Sequence, residues 1–167
     1  MKSHLAVVLL GVSVLPGCAA TARLYPVHGP LSTQTPLPVY VAKLAHGLKS
    51  GNFSAILNNG EVCKGRWELV PPSNSSKGAT TAGVPSANNM SAEWDTIYGP
   101  GFYSNEVLGA DFYMRAVLTG NRGTLLNVEM FANQSPEPSA RHDDPITRIM
   151  KGVAKDNKGN TYNLVFP

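Results

Sequence analysis

Residues 52–70 read NFSAILNNGEVCKGRWELV, and this stretch decides the fold. Before Asn59-Gly60, apolar side chains recur at every second position, which is the period of a β-strand with one buried face. The alternation resumes after the turn, where Cys63 and Trp67 share the inward face. Asn-Gly is a strong hairpin signal, because a type I′ turn needs positive φ at both central residues. The stretch predicts an antiparallel hairpin with one wet side, and it predicts that Cys63 is a core thiol.

The rest of the chain repeats this pattern. A strand is predicted at residues 39–45, and two further hairpins are predicted in the second half. Their strands are residues 111–119 with 124–131, and residues 146–154 with 161–166. Sixteen glycines and thirteen prolines suit short strands joined by turns. Three hairpins and at most one short helix predict an all-β antiparallel meander, which forms either a small barrel or a two-layer sandwich.

The first 17 residues are typical of an export signal. The apolar run at residues 5–14 would span about 15 Å as a helix, half of a hydrocarbon core of roughly 30 Å, so it is too short to cross a membrane. The run leads into LPGC at residues 15–18, which resembles a bacterial lipobox. That resemblance implies that Cys18 becomes the lipidated first residue of the mature protein. The alternative is an ordinary secretory signal cut near residues 19–20, which would remove Cys18.

The lipobox implies a location. The resemblance implies three acyl chains, and because two or more chains hold stably, the attachment would be effectively permanent. The residue after the cysteine is Ala19. In Gram-negative bacteria, an aspartate at this position retains such proteins in the inner membrane. The expectation is a cell-envelope protein attached to the outer membrane. Residues 18–38 hold four prolines and predict a lipidated cysteine with a Pro-rich tether, of which residues 23–27 alone are apolar enough for an edge strand.

The mature chain, residues 18–167, has a size and charge that suit one domain. Its tether is followed by a single β-rich domain at residues 39–167, long enough to bury a sizeable core. Without Lys2 it has 13 basic and 11 acidic residues, a formal charge of +2. These charges are scattered along the sequence, so no nucleic-acid partner is expected. With Cys18 lipidated, one thiol remains and no intramolecular disulfide can form.

The segments between the predicted hairpins are less regular. Residues 71–89 form a long polar excursion without apolar anchors, which favours disorder. Ser91 is placed to cap a short helix through residue 97, although an irregular packed segment fits the same residues. Residues 98–103 must contain a turn, and its three aromatic side chains are expected to close one end of the core.

No arrangement of residues predicts catalysis. The histidines of the mature chain, His28, His46 and His142, all stand in turn or linker contexts without a neighbouring nucleophile. Residues 142–144 offer metal-ligand types, but three consecutive residues cannot easily converge on one ion. Residues 156–160 have part of a calcium-loop composition but lack the distal glutamate, so a hairpin turn is the simpler interpretation. No catalytic residue, no metal and no cofactor is predicted.

A binding surface is the remaining kind of site. Lys64, Arg66, Arg115 and Glu129 fall on the polar faces of predicted strands and are interpreted first as a solvated surface. If the domain binds a partner, that side and the aromatic turn are the regions to consider. The candidate residues are Tyr98, Phe102, Tyr103, Lys64 and Arg66.

Residues 21–167 resemble a group of small proteobacterial lipoproteins without an assigned activity. The likeness is carried by residues 60–67, 118–124 and 152–159, and it implies location and a β-rich fold only. The leading hypothesis is a non-enzymatic envelope lipoprotein that binds an envelope protein or a glycan, or contributes to surface structure. The alternative is an inhibitor or ligand-binding module, similar in size and class to lipid-anchored lysozyme inhibitors. An enzyme ranks third.

Overall fold

The computed structural model describes residues 19–45, 47, 49–70, 90–108, 110, 112–132 and 150–167. Eight antiparallel strands form a closed barrel, in which each strand pairs with its neighbours in the chain and the last pairs with the first. The strands are β1 (Ala19–His28), β2 (Tyr40–Ala45), β3 (Ser50–Ile56), β4 (Val62–Val70), β5 (Phe112–Gly120), β6 (Leu125–Ala132), β7 (Met150–Asp156) and β8 (Thr161–Val165). The predicted all-β meander is confirmed, and the pairing of β1 with β8 selects the barrel over the sandwich.

Strand β1 corrects the predicted tether. Residues 19–28 form a full barrel strand, in which Arg23 pairs with Val41 on one side and with Val165 on the other. The tether prediction rested on proline content, but Pro26 lies where the register with β8 shifts, a position that tolerates a missing N–H. Only residues 29–39 remain as a connection between β1 and β2, so the barrel begins at the first described residue.

The interior of the barrel is filled by side chains. Inward residues alternate with outward ones along each strand, and bulky groups such as Trp67, Phe53 and Tyr162 are interleaved with alanines. Eight strands enclose a space just wide enough for side chains to fill. Cys63 is fully buried in this cluster, as predicted, and burial raises the pKa of its thiol, with the charge of Glu61 adding to the effect.

A helical layer covers one side of the barrel. Helix α1 (Ser91–Tyr98) and a π-helical turn (Tyr103–Val107) pack on the outer faces of β5, β6 and β7. Met90, and not Ser91, occupies the N-cap position, and no side-chain cap hydrogen bond forms there, so the predicted cap is wrong. Neither helical segment of the described chain has the length and apolarity needed to span a bilayer.

The three tight hairpins share one turn geometry. Each has a three-residue loop closed by a hydrogen bond from the glycine N–H back to the residue that precedes the loop. Gly60, Gly123 and Gly159 have φ of 75°, 89° and 85°, whereas no other residue type in the described chain has positive φ. The predicted type I′ turn at Asn59 is therefore wrong, and the loops are of the three-residue kind that ends in a left-handed glycine.

Several predictions fall outside the described residues. They concern Cys18, His46, residues 71–89, residues 133–144 and the metal-ligand types at residues 142–144.

Candidate functional site

The barrel has two different ends. The hairpins β3–β4, β5–β6 and β7–β8 and the connection at residues 29–39 all lie at one end, which we call the hairpin end. The opposite end carries Ala19, the β2–β3 loop and the end of β8. Because the strands alternate in direction, this division follows directly from the strand order.

Two asparagines hold neighbouring hairpins together. Asn121 Oδ1 accepts the Val62 N–H at 3.1 Å, and the Asn121 N–H donates to the Val62 carbonyl at 3.3 Å. Asn157 makes the same pair of contacts with Leu125, at 3.1 and 3.0 Å. Each asparagine acts like an added strand residue, and we call its pair of hydrogen bonds an asparagine clip. One clip joins the second hairpin to the first, and the other joins the third hairpin to the second.

Glu61 is a fully buried carboxylate between two hairpins. Its Oε1 accepts the N–H groups of Arg122 and Thr124 at 3.1 and 3.0 Å, and its Oε2 accepts the Thr124 hydroxyl at 2.7 Å. Burial alone would raise the pKa of this carboxyl, but the hydrogen bonds from Thr124 and Arg122 outweigh burial and lower the pKa to about 2. The packing is close enough that a Cβ atom on Gly120 would overlap the carboxylate.

Asp156 organises the third hairpin in a similar way. Its Oδ1 accepts the N–H groups of Lys158 and Asn160, both at 2.9 Å. Its Oδ2 accepts the Asn160 side-chain amide at 2.8 Å and the Tyr162 hydroxyl at 2.7 Å. Asn160 Oδ1 in turn accepts the Leu31 N–H at 2.9 Å. The prediction of a hairpin turn here is confirmed, and both carboxylate oxygens are used within the turn.

A pocket opens where the series of asparagine clips is interrupted. Asn58 holds the position in the first hairpin that Asn121 and Asn157 hold in theirs, but it makes no such clip within the described chain. Its neighbour on that side is the long connection at residues 29–39 and not another tight turn. Together they border a pocket of about 320 Å³.

The pocket combines two tyrosines with neutral polar groups and with two charged residues, Asp156 and Lys158. It is lined by Pro30, Leu31, Gln34, Tyr40, Leu57, Asn58, Asn59, Asp156, Lys158, Asn160 and Tyr162. The rings of Tyr40 and Tyr162 lie 5.9 Å apart, centroid to centroid. Burial raises the pKa of Tyr40, with the charge of Asp156 adding to the effect, so its hydroxyl remains a donor. Exposed amides at Gln34 and Asn58, next to two largely buried tyrosines, suit a ligand that carries hydroxyl or amide groups. The volume is near the low end of the range of about 300–1,000 Å³ for ligand pockets.

The predicted aromatic residues lie elsewhere, on the outside of the barrel. Tyr98 and Phe102 stack with ring centroids 4.7 Å apart, and Lys151 Nζ lies 5.3 and 5.0 Å from the two centroids. The Tyr98 hydroxyl donates to Asn163 Oδ1 at 2.9 Å, and Tyr103 is buried. These side chains cover the outer face of the sheet and do not close an end of the core, because they pack with outward residues of β5, β6 and β7.

Arg115 and Glu129 are covered by this helical layer, so their predicted place on a solvated surface is wrong. Glu129 Oε2 accepts the Trp94 indole N–H at 2.9 Å, and its Oε1 lies 3.3 Å from Arg115 Nε. Arg115 Nε also donates to the Tyr113 hydroxyl at 3.1 Å. Burial raises the pKa of Glu129. The alternation of β6 does place Glu129 outward, but α1 takes up that outward position.

Lys64 and Arg66 are exposed on the outer face of β4, as predicted. Arg66 Nη2 donates to Ser50 Oγ at 2.9 Å. Strand β5 separates this pair from the aromatic group around Tyr98, so the structure does not gather the candidate binding residues into one patch.

The hairpin end is a site that the sequence patterns described above do not predict. The available signal was an Asn-x-Gly triplet at residues 58–60, 121–123 and 157–159. Its repetition indicates equivalent turns, and equivalent turns on one barrel end can hydrogen-bond to one another.

These features define a small closed β-barrel with a filled interior and a pocket at its hairpin end. Comparison with protein-family models, with curated proteins and with solved structures finds no match for the chain. Within the described ranges, no three His, Cys, Asp or Glu side chains are grouped so that they could hold a metal ion. Function is therefore inferred from the geometry of the chain's own residues.

Proposed function

We propose that this protein is a lipid-anchored envelope protein of the outer membrane with a non-enzymatic role, and that it binds an envelope protein or a glycan at the hairpin end. The pocket bordered by Asn58 carries the proposal. It is the place where the asparagine clips stop and where aromatic rings meet amides that are exposed to solvent.

The use of the acidic groups at this end supports binding over catalysis. Glu61 and Asp156 accept hydrogen bonds that hold the turns in place, so their oxygens are already engaged. The neutral groups Gln34, Asn58 and Tyr40 are placed at the pocket and can donate or accept hydrogen bonds. Such groups orient a ligand without transferring protons at neutral pH.

The anchoring part of the proposal is tested by Cys18→Ala in the full chain. We expect the variant to lose acyl label and to move from the membrane fraction to the soluble fraction, because two or more acyl chains are what holds such a protein stably. Cys63→Ala is the matched control and should keep both label and location, since Cys63 is buried in the barrel. Unchanged membrane retention of Cys18→Ala would refute the anchor.

The binding part is tested with residues 19–167, which contain the complete barrel. The immobilised domain is incubated with an envelope extract, and retained glycans and proteins are identified. Replacing both Gln34 and Asn58 by alanine should weaken retention roughly 30-fold, the effect of two lost hydrogen bonds. Thr119→Ala, an exposed change on β5, is the control. If the unsubstituted domain, the double variant and Thr119→Ala all retain the same amount of ligand, the pocket is excluded as the binding site.

An inhibitor is the second candidate, and one observation favours it. The hairpins are clipped to one another and to Glu61, so the end of the barrel presents preorganised loops, which lowers the cost of binding a cleft. A soluble enzyme retained in stoichiometric amount by the same immobilised domain would support this reading over binding of an envelope component.

A further inference from the structure

The side of the barrel opposite α1 carries exposed apolar side chains. We call it the uncovered face and define it as the outward residues of β1, β2 and β3, those of β4 from Val62 to Glu68, Val165 of β8, and residues 37 and 39 of the β1–β2 connection. Seven large apolar side chains of the described chain are exposed, and all but Leu125 lie here. The six are Val27, Leu37, Val39, Val41, Ile56 and Val165. Monomeric proteins rarely gather such groups without a partner surface.

Several of these side chains form a row across the strands. Cross-strand pairing places Val165 beside Arg23, Arg23 beside Val41, and Val41 beside Ile56. Val41 and Ile56, which pair near the hairpin ends of β2 and β3, are 42% and 51% exposed. The row therefore offers neighbouring aliphatic groups with one arginine between them.

A basic row runs alongside the aliphatic one. Lys43 pairs with Ser54, and Ser54 pairs with Lys64, so the two lysines are separated by two strand spacings, about 10 Å. Arg23 and Arg66 add two more exposed cations, and Glu68 is the acidic residue on these described strands. Charges that are scattered in the sequence are thus brought onto one face by the barrel.

The start of β1 fixes where this face stands. Ala19 already pairs with Ala45, so no spacer separates position 18 from the barrel. A lipid attached at Cys18 would hold the first residues of β1 at the headgroup layer. Ala19 lies at the end of the barrel opposite the hairpins and β1 belongs to the uncovered face, so the anchor would join the barrel where that end meets the uncovered face.

We propose that the uncovered face lies against the negatively charged surface of a phospholipid bilayer, with the barrel on its side. The proposed orientation of the barrel on the bilayer rests on the proposed anchoring at Cys18. Aliphatic side chains enter the interfacial region, while lysine and arginine reach anionic headgroups with their charged ends. Because the barrel is convex, the central contacts are Val41, Ile56, Lys43 and Arg23, with Lys64 at the rim.

The test uses residues 19–167, which lack the anchor, so its result is independent of the fate of Cys18→Ala. Cosedimentation is measured with vesicles made of equal parts phosphatidylglycerol and phosphatidylcholine, and with vesicles of phosphatidylcholine alone. We expect binding to the mixed vesicles that declines as salt is raised, and little binding to the neutral ones. Replacing Lys43 and Lys64 by glutamine should weaken partitioning roughly 30-fold.

Matched controls lie on the covered side. Lys151→Gln with Lys155→Gln changes the net charge by the same amount and should weaken partitioning by no more than about twofold, because distant charges are screened. Ile56→Ser should weaken partitioning about tenfold, the effect of one aliphatic side chain that no longer leaves water, whereas Leu125→Ser should not. Circular dichroism of each variant verifies the fold.

Three outcomes would overturn the proposal. The first is an absence of binding to mixed vesicles at low salt, and the second is an equal loss of binding in the two lysine pairs. The third is a dimer in sedimentation equilibrium that Ile56→Ser converts to a monomer, which would assign the face to a second copy of the chain.

Discussion

Replacing Trp94 by alanine is expected to weaken the packing of α1 on the barrel by about 4 kcal/mol, as for other buried Trp-to-Ala changes. Trp94 is fully buried, stacks with Tyr98 and Phe102, and meets Phe131 edge-on. Its loss removes the centre of the outer cluster and leaves Glu129 without an indole donor. Hydrogen exchange of the amides in residues 91–107 should accelerate by about three orders of magnitude.

The matched variant is Trp94→Phe, which keeps most of the ring packing and removes the indole N–H. We expect it to cost about 1–2 kcal/mol, the value of one hydrogen bond to a charged acceptor. Exchange at β1–β3 should change much less in both variants, since the buried strand residues that pack with α1 lie on β5, β6 and β7. Equal exchange rates in residues 91–107 for the wild type and the alanine variant would show that Trp94 does not hold the layer.

Glu61→Ala is expected to reduce the free energy of unfolding by about 3 kcal/mol, because it leaves two buried donors of Thr124 and the partly buried N–H of Arg122 without their acceptor. Urea denaturation at neutral pH measures the change. Glu68→Ala, at an exposed position of β4, should change stability by no more than about 0.5 kcal/mol. A Glu61 variant as stable as the Glu68 variant would contradict a structural role for this carboxylate.

The same carboxylate predicts how stability depends on pH. Hydrogen bonds lower the pKa of Glu61 to about 2, against burial, from an ordinary value of 4.5. The folded state therefore holds its proton more weakly than the unfolded state does. The contribution of Glu61 is fully present above pH 4.5 and is lost as the pH falls toward 2. Glu61→Gln should flatten this part of the stability profile, which denaturation at a series of acidic pH values would reveal.

The sequence predicts the hairpins well because their determinants are local. The alternation in residues 52–70 places Cys63 and Trp67 inside and Lys64 and Arg66 outside, and the structure agrees. Only residues 23–27 of β1 were predicted as a possible edge strand, because its pairing partners are distant in the chain whereas its prolines are visible locally. Closure of the barrel depends on the register between the first and last strands, which no short window of sequence contains.

The candidate site is harder to predict than the fold. The pocket arises because a long connection replaces a tight turn beside Asn58, and only the strand order shows that these two segments are neighbours. The same limit applies to Glu129. The alternation of β6 predicts that Glu129 points away from the barrel interior. Whether that side is exposed to solvent or covered depends on where α1 packs, which the alternation does not show.

The joining of β1 to β8 has a consequence for how the chain folds. Strand β1 is synthesised before its partner β8. Until β8 is present, β1 has an edge with unpaired N–H and C=O groups. Contacts between remote segments slow folding, because the loop between them must be closed first. We therefore expect truncation before residue 161 to leave an aggregation-prone chain and not a smaller barrel, because β8 is the strand that closes the barrel against β1.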